Sequence, residues 1–267
     1  MPLTSIQKRI ITSLLLILTL ILALYLGGTF LIALVAAFSG AALWEFYSMF
    51  WDGKKLLTTR IIAVVCGMAL VFASAMAGMG WTVILLLASF WICNFHFLFS
   101  YSSASETSSY RNSLILFAGI VYIPLTLQFF TSMTSWEILF VLMASSASDT
   151  AAFYAGSYFG KKKIWPAISP KKSWAGSFGG FAACIIACSV YGKFLGNSSL
   201  ISWIIFGAAL NIAAQMGDFF ESALKRKLGI KDSGVILPGH GGVLDRIDSL
   251  VLVLPIYIIG RQIHTFF

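Results

Sequence analysis

The chain has 267 residues, of which 59% are hydrophobic and 10% are charged, and its formal net charge is +8. A soluble domain of this length usually has about a quarter of its residues charged, so the composition excludes an ordinary water-soluble enzyme. It indicates a protein that crosses a membrane several times. No polar stretch is long enough to form a soluble domain, and we expect a single transmembrane domain over residues 1–267.

Nine apolar stretches have roughly the 17–25 residues that a helix needs to cross a bilayer. The first lacks a signal-peptide cleavage site and leads directly into the second, so we interpret it as a retained helix. Alternating strand patterns typical of a β-barrel are absent from the sequence. We therefore predict an all-α, polytopic membrane bundle of about nine transmembrane helices. The predicted spans are 10–26, 29–50, 60–77, 81–99, 113–130, 136–158, 174–192, 199–220 and 249–267.

The positive charges predict an orientation. If the N-terminus is cytoplasmic, 16 of the 18 Lys and Arg residues lie on the cytoplasmic side, and the other two are Lys193 and Arg261. This asymmetry follows the positive-inside rule. Attraction to anionic membrane lipids explains most of these cations, and we expect no nucleic-acid partner. The longest polar segments on that side, 159–173 and 221–248, are where we expect chemistry.

Several carboxylates lie within or beside the spans, where each costs several kcal/mol unless it is paired, hydrated or metal-bound. Glu45 is interpreted as a structural residue that pairs with Lys54, Lys55 or a neighbouring helix. Asp149 lies in "SSASDTAAFYAGSYFG", a run of small residues that allows close helix packing. Because an aspartate there needs a partner or a water-filled cavity, we interpret Asp149 as a candidate substrate-site residue.

The stretch "GDFFESALKRK" places Asp218, Glu221, Ser222 and Lys225 at i, i+3, i+4 and i+7. This spacing predicts one helix face with two carboxylates, a hydroxyl and an ammonium.

The stretch "LPGHGGVLDRID" places Asp245 and Asp248 three residues apart at the start of the last span. A helix N-terminus has free N–H groups, and Gly241 and Gly242 let the backbone approach a phosphate. Carboxylates that hold Mg²⁺ and cations that hold phosphate would suit such a pattern. Spacing alone leaves a second interpretation open, an interhelical salt-bridge cluster that fixes two spans together.

Residues 222–248, "SALKRKLGIKDSGVILPGHGGVLDRID", resemble the signature of the phosphatidate cytidylyltransferase family, also called CDP-diacylglycerol synthases. The stretches "ISPKKSWAGS" (168–177) and "SDTAAFYAGSYFGK" (148–161) resemble further segments of that family. The similarity covers about residues 148–248, so we expect 1–140 to be mainly scaffold and 141–267 to be the catalytic half. Ala175 departs from the pattern because the family has Glu there, and we assign no role to position 175.

The resemblance implies an enzyme of phospholipid biosynthesis in the cytoplasmic (inner) membrane, with its active site facing the cytoplasm. It would convert CTP and phosphatidate to CDP-diacylglycerol and pyrophosphate with Mg²⁺, and a second cation is compatible with the pattern. Asp218 and Asp245 are then predicted to bind the metal directly, with Asp248 as a third metal-binding carboxylate or as a carboxylate that supports the direct ligands. Further predicted contacts to substrate phosphates are Lys225, Arg226, Arg246, Lys171, Lys172, Ser222, His240, Gly241 and Gly242, with Asp149 contacting substrate or a lysine of the site.

Some of these assignments have an alternative. His240 is also interpreted as a turn residue, and Lys171 and Lys172 as residues that only attract lipid headgroups. The Ser222 hydroxyl is also interpreted as bonding back to its own helix.

Two other protein classes are considered for this sequence. A CDP-alcohol phosphotransferase would have four Asp on one helix, whereas here the carboxylates are split between two. A transporter would have inverted repeats and coupling residues in both halves, whereas the first 140 residues have little buried charge. A homodimer is compatible with the sequence.

Overall fold

The computed structural model describes residues 4–51, 53, 56–77, 79–101 and 109–267. Within these ranges the secondary structure is helical apart from two isolated bridges, which confirms the predicted all-α fold. A 3₁₀ helix covers Gln128–Ser132. The α-helices are α1 (Ser5–Leu26), α2 (Gly28–Phe50), α3 (Leu57–Ala77), α4 (Met79–Tyr101), α5 (Tyr110–Tyr122), α6 (Pro124–Leu127), α7 (Ser135–Phe159), α8 (Trp174–Leu195), α9 (Leu200–Lys227), α10 (Leu244–Ile247) and α11 (Leu250–Ile263).

Eight helical stretches of the described chain are long and apolar enough to cross a membrane, and they correspond to the first eight predicted spans. The chain is therefore a polytopic membrane protein. The fifth stretch, Tyr110–Ser132, combines α5, α6 and the 3₁₀ helix. It is interrupted because Pro124 has no N–H to continue the helix and disfavours helical geometry in the residue before it. Large apolar side chains on α1 and α4 are exposed, as expected of surfaces covered by lipid.

The ninth predicted span is shorter than expected. Helix α11 has 14 residues, or about 21 Å at 1.5 Å per residue, whereas the hydrocarbon core is about 30 Å thick. The chain leaves the helix at His264, and the Asn197 N–H donates to the Phe266 carbonyl at 2.9 Å. The Phe266 ring stacks on Phe206 with a centroid distance of 4.2 Å. Aromatic packing of the last residues therefore replaces the final turns of the predicted span.

The chain divides into two compact units. The first contains the described part of Met1–Ser132 together with Asp232–Arg246, so it includes much of the signature stretch. Tyr47 of α2 is fully buried in this unit, and its hydroxyl donates to the Leu116 carbonyl of α5 at 2.8 Å. Gly119 leaves room for that ring, because a Cβ there would lie 2.6 Å from it. This close fit packs α2 directly against α5.

The second unit contains Met133–Lys231 and Ile247–Phe267, with α7, α8, α9 and α11 packed against one another. Helices α7 and α8 approach at backbone distance. A Cβ at Gly176 would lie 2.7 Å from the Ala152 carbonyl oxygen, and one at Gly180 would lie 2.8 Å from that of Ser148. This packing confirms the interpretation of the small-residue run around Asp149 as a close helix contact. It also fixes α7 beside the loop that precedes α8.

Candidate active site

The C-terminal end of α9 carries the predicted polar face in the second unit. The Ser222 hydroxyl donates to Asp218 Oδ1 at 3.2 Å, and Lys225 Nζ lies 2.6 Å from Glu221 Oε2. Glu221 is completely buried and Lys225 is 8% exposed. The i, i+4 spacing read from the sequence therefore produces two bonded pairs. A buried ion pair needs good geometry to offset the cost of desolvation. Glu221 therefore holds the Lys225 ammonium in a fixed position.

Asp248 lies beside the same part of α9. A Cβ at Gly217 would lie 2.7 Å from the Asp248 carbonyl oxygen, so the two backbones are in direct contact. The Asp248 carboxylate accepts the Ser249 N–H at 2.7 Å. Burial, and then the charges of Asp218 and Glu221, raise the pKa of Asp248 well above its usual range, while Lys225 opposes the shift. The structure thus brings Asp218, Asp248 and Glu221 within electrostatic range in one unit.

The lysine-rich loop before α8 reaches this carboxylate cluster. Lys172 Nζ forms an ion pair with Asp218 Oδ2 and lies 4.2 Å from the centroid of the Phe219 ring. The loop is shaped by its backbone, since the Trp174 N–H donates to the Lys162 carbonyl at 3.1 Å. The predicted polar segment 159–173 therefore reaches α9 just before the second predicted polar segment, 221–248, begins.

Arg226 helps to hold this loop. Its Nε donates to the Ile168 carbonyl at 3.3 Å and its Nη1 donates to the Ile230 carbonyl at 3.0 Å. The guanidinium thus ties the loop to the end of α9. The sequence predicts Arg226 to contact phosphate, and in this structure its observed bonds are to the backbone.

A cleft of about 580 Å³ opens beside the Lys172–Asp218 pair. This volume lies in the usual range for small-molecule sites. Its walls are one face of α7, the lysine-rich loop, the start of α8 and two polar residues of α9. Four predicted site residues line it: Asp149, Lys171, Lys172 and Asp218. The other lining residues are Ser148, Ala152, Phe153, Gly156, Ser157, Gly160, Lys163, Ile164, Pro170, Ser173, Gly176, Ser177 and Gln215.

A polar network that lines the cleft and extends to the buried Asn211 was not predicted. Asn211 is fully buried, and its amide donates to the Ser148 hydroxyl at 2.6 Å. Gln215 donates to Asn211 Oδ1 at 2.5 Å and to the Ser177 carbonyl at 3.2 Å, and the Ser177 hydroxyl donates back to it. The sequence contains the signal, because these two amides continue the polar face of α9 upstream of Asp218 at helical spacing.

The glycine-rich part of the signature lies in the first unit. The Asp245 carboxylate accepts the Ser233 N–H at 3.0 and 3.2 Å and the Gly242 N–H at 2.9 Å. Arg246 Nη2 donates to the His240 carbonyl at 2.9 Å. Gly241 has a φ of +85°, a conformation that suits glycine and closes this turn. Asp245 and Arg246 therefore organise the loop, and both partners belong to the same segment.

His240 is placed at the turn. Its N–H donates to the Leu237 carbonyl at 2.9 Å, and its ring Nε2 lies 3.3 Å from the Ser13 hydroxyl. This geometry matches the turn-residue alternative, and the phosphate-donor role stays a prediction.

The carboxylates singled out in the sequence are distributed over both units. Asp218 and Asp248 are brought together in the second unit, whereas Asp245 belongs to the first unit. Glu45 contacts Ser233 and Leu244 of the signature stretch, and its proposed partners Lys54 and Lys55 lie outside the described residues. No group of three or more His, Cys, Asp or Glu side chains in the described ranges is arranged as a ready metal site.

Comparison with known proteins agrees with the signature. The model of the cytidylyltransferase family matches residues 7–264. A phosphatidate cytidylyltransferase of Staphylococcus haemolyticus is 32% identical over 94% of this chain and 96% of its own length. The protein of the same name from Staphylococcus aureus strain COL is 30% identical with the same coverage, and that of Staphylococcus saprophyticus is 32% identical. The chain therefore belongs to the cytidylyltransferase family and is a nucleotidyltransferase enzyme.

Proposed function

We propose that this chain transfers a cytidylyl group from CTP to phosphatidate, giving CDP-diacylglycerol and pyrophosphate. The family match and the names of the relatives support these substrates. The observation that carries the proposal at the level of the site is the Lys172–Asp218 pair at the edge of a cleft in a membrane protein. Cationic and anionic groups side by side suit a reaction that joins two polyanions and needs a metal.

The reaction makes one bond and breaks one. A phosphatidate oxygen forms a bond to the α-phosphorus of CTP, the bond from that phosphorus to the bridging oxygen breaks, and pyrophosphate leaves. A phosphomonoester has a second pKa of about 6, so it is mostly dianionic at neutral pH and needs no strong general base. The protein therefore has to bring anions together and stabilise the leaving group.

Asp218 and Asp248 are the proposed Mg²⁺ ligands. Mg²⁺ commonly uses one or two carboxylates and completes its shell with water and substrate phosphates, so two aspartates suit it in ligand type and number. The bound ion would neutralise charge on the triphosphate. Buried Glu221 engages Lys225, which holds that ammonium beside the carboxylates. A role for Asp245 as a further ligand stays a prediction of the sequence.

The lysines of the loop have the proposed task of binding phosphate. Lys171 and Lys172 line the cleft, and the ammonium of Lys172 is held against Asp218. An incoming phosphate and metal would exchange partners with this pair, with phosphate taking the lysine and metal taking the aspartate. Asp149 lines the same cleft and is proposed to contact substrate or orient a lysine. Ser222, bonded to Asp218, is proposed to orient that carboxylate.

The proposed site faces the cytoplasm in the inner membrane. The distribution of Lys and Arg supports this orientation. CTP would then enter from solvent, and phosphatidate would enter from the inner leaflet with its acyl chains still in lipid.

The test is a turnover assay with purified protein in detergent, phosphatidate, Mg²⁺ and α-labelled CTP. We expect label in a lipid product, and we expect Asp218→Asn, Asp248→Asn and EDTA each to abolish it. Glu137→Gln is the matched control, because Glu137 is a buried carboxylate of the same unit that contacts Tyr257 rather than the cleft. A folded protein that labels no lipid would refute the proposal, and full activity of Asp218→Asn would refute the site.

A further inference from the structure

Glu45 of α2 lies beneath the signature loop of the first unit, residues 232–246. Its side chain is 2% exposed. Its Oε2 accepts the Leu244 N–H at 2.9 Å and the Ser233 hydroxyl at 3.2 Å. Ser233 lies near the start of the loop and Leu244 lies near its end. One carboxylate oxygen therefore joins the two ends of a loop that is almost 200 residues away along the chain.

The loop backbone packs directly on this carboxylate. A Cβ at Gly242 would lie 2.5 Å from Glu45 Oε2, and a Cβ at Gly234 would lie 2.6 Å from the carboxyl carbon. Real Cβ atoms essentially never approach so closely, so a side chain at either position would force the Glu45 carboxylate to move. The sequence predicts that the backbone at Gly242 comes close to a substrate phosphate. In the structure, this backbone lies close to the Glu45 carboxylate.

A shared residue connects Glu45 to Asp245. Ser233 donates its hydroxyl to Glu45 and its backbone N–H to Asp245. Gly242 donates its N–H to Asp245 while it packs on Glu45. Removing the Glu45 carboxylate would therefore take away a support from both residues that donate to Asp245 and from the two ends of the loop.

A carboxylate in an apolar span is costly to bury, and this cost is offset when backbone and hydroxyl donors satisfy it. The two donors to Oε2 of Glu45 both come from the signature loop. We infer that Glu45 is a positioning residue, which acts through Ser233 and Leu244 to hold Asp245 and Arg246 in the geometry that turnover requires. The expected effect of Glu45 on turnover rests on the proposed function, whereas its stabilisation of the loop does not.

The experiment compares Glu45→Ala with Glu45→Gln. Glutamine keeps a carbonyl oxygen that accepts both donors but has no charge, whereas alanine has no acceptor. We expect Glu45→Ala to lower kcat roughly tenfold or more and to change the KM for CTP by less than about threefold, and Glu45→Gln to restore most of the rate. Amide hydrogen exchange of peptides from residues 232–246 should accelerate in Glu45→Ala and stay slow in Glu45→Gln.

Two controls isolate the effect. Glu137→Ala removes another buried carboxylate, one that contacts Tyr257 and Arg261 of the second unit, and should leave exchange of the loop unchanged. Ser233→Ala removes one of the two donors and keeps the Ser233 N–H on Asp245. It should give a smaller effect in the same direction, and it serves as the test if Glu45→Ala fails to fold.

Two results would overturn the inference. In the first, loop exchange is unchanged in both Glu45→Ala and Ser233→Ala. In the second, Glu45→Gln is as inactive as Glu45→Ala while its loop stays protected, which would mean that the charge itself is used. Amide hydrogen exchange is measured without substrate. An inactive wild-type protein would therefore refute the proposed reaction, while the exchange data would still test whether Glu45 holds the loop.

Discussion

Lys172 gives the sharpest test of the cleft, because its ammonium is paired with Asp218 and its side chain is 27% exposed. Replacing it with methionine keeps most of the side-chain volume and removes one charge. Two unit charges about 4 Å apart interact by about 4 kcal/mol at an effective dielectric constant of about 20, before solvent screening and desolvation reduce the figure. Hydrogen bonds to charged groups contribute about 1.5–3 kcal/mol net. We therefore expect Lys172→Met to lower kcat/KM for CTP and phosphatidate by roughly 10- to 100-fold.

The matched control for this prediction is Lys161→Met. Lys161 belongs to the same basic segment and is exposed, but it does not line the cleft. Both variants remove one positive charge from the same side of the membrane. If these lysines act only on topology or lipid headgroups, the two variants will behave alike. Equal kcat/KM values for Lys172→Met and Lys161→Met, measured with labelled CTP at subsaturating phosphatidate, would refute the reasoning.

Three further predictions concern the second unit. Because the pKa of Asp248 is raised by burial and by neighbouring carboxylates, its ionisation destabilises the metal-free fold. Thermal stability in EDTA should thus fall as pH rises from the ordinary Asp pKa of about 4 through the raised pKa, and Asp248→Asn should lose this dependence. Gly176→Leu should unfold at a clearly lower temperature than wild type, since overpacking typically costs about 1–3 kcal/mol, whereas Ala182→Leu on the exposed face of α8 should not. Gln215→Leu should destabilise by about 1–3 kcal/mol, measured by thermal unfolding, because it leaves Oδ1 of the fully buried Asn211 without its donor.

Local patterns account for the parts of the fold that were predicted correctly. Helix periodicity and hydropathy identify eight spans, because a membrane helix must satisfy its own backbone and present apolar side chains to lipid. The same periodicity predicts the pairing along α9 at Asp218–Ser222 and Glu221–Lys225, because residues four apart share a helix face. Charge density along the chain also picks out the lysine-rich loop whose Lys172 reaches Asp218.

Contacts that depend on tertiary packing were not predictable in this way. Nothing local to Glu45 indicates that its donors come from residues 233 and 244. The shortened α11 depends on stacking of Phe266 against Phe206 of another helix. Arg226 is cationic and lies within the signature stretch 222–248, yet one of its observed bonds is to the backbone of Ile168, 58 residues upstream. Each case involves partners distant in sequence, which periodicity cannot pair.

The Lys172–Asp218 pair also couples the binding of the metal ion to the binding of the nucleotide. In the absence of substrate each partner satisfies the other, so a metal ion competes with Lys172 for Asp218 and a phosphate competes with Asp218 for Lys172. Either ligand alone must break the pair and leave one charge without its partner, whereas the two together satisfy both. Removal of one member of a charge pair is costly for the other, so binding of metal and nucleotide should be mutually favourable. Titration of Mg²⁺ at several fixed CTP concentrations should thus show tighter metal binding as CTP rises, and Lys172→Met should reduce this coupling. Equal coupling in wild type and Lys172→Met would mean that the pair is a static contact.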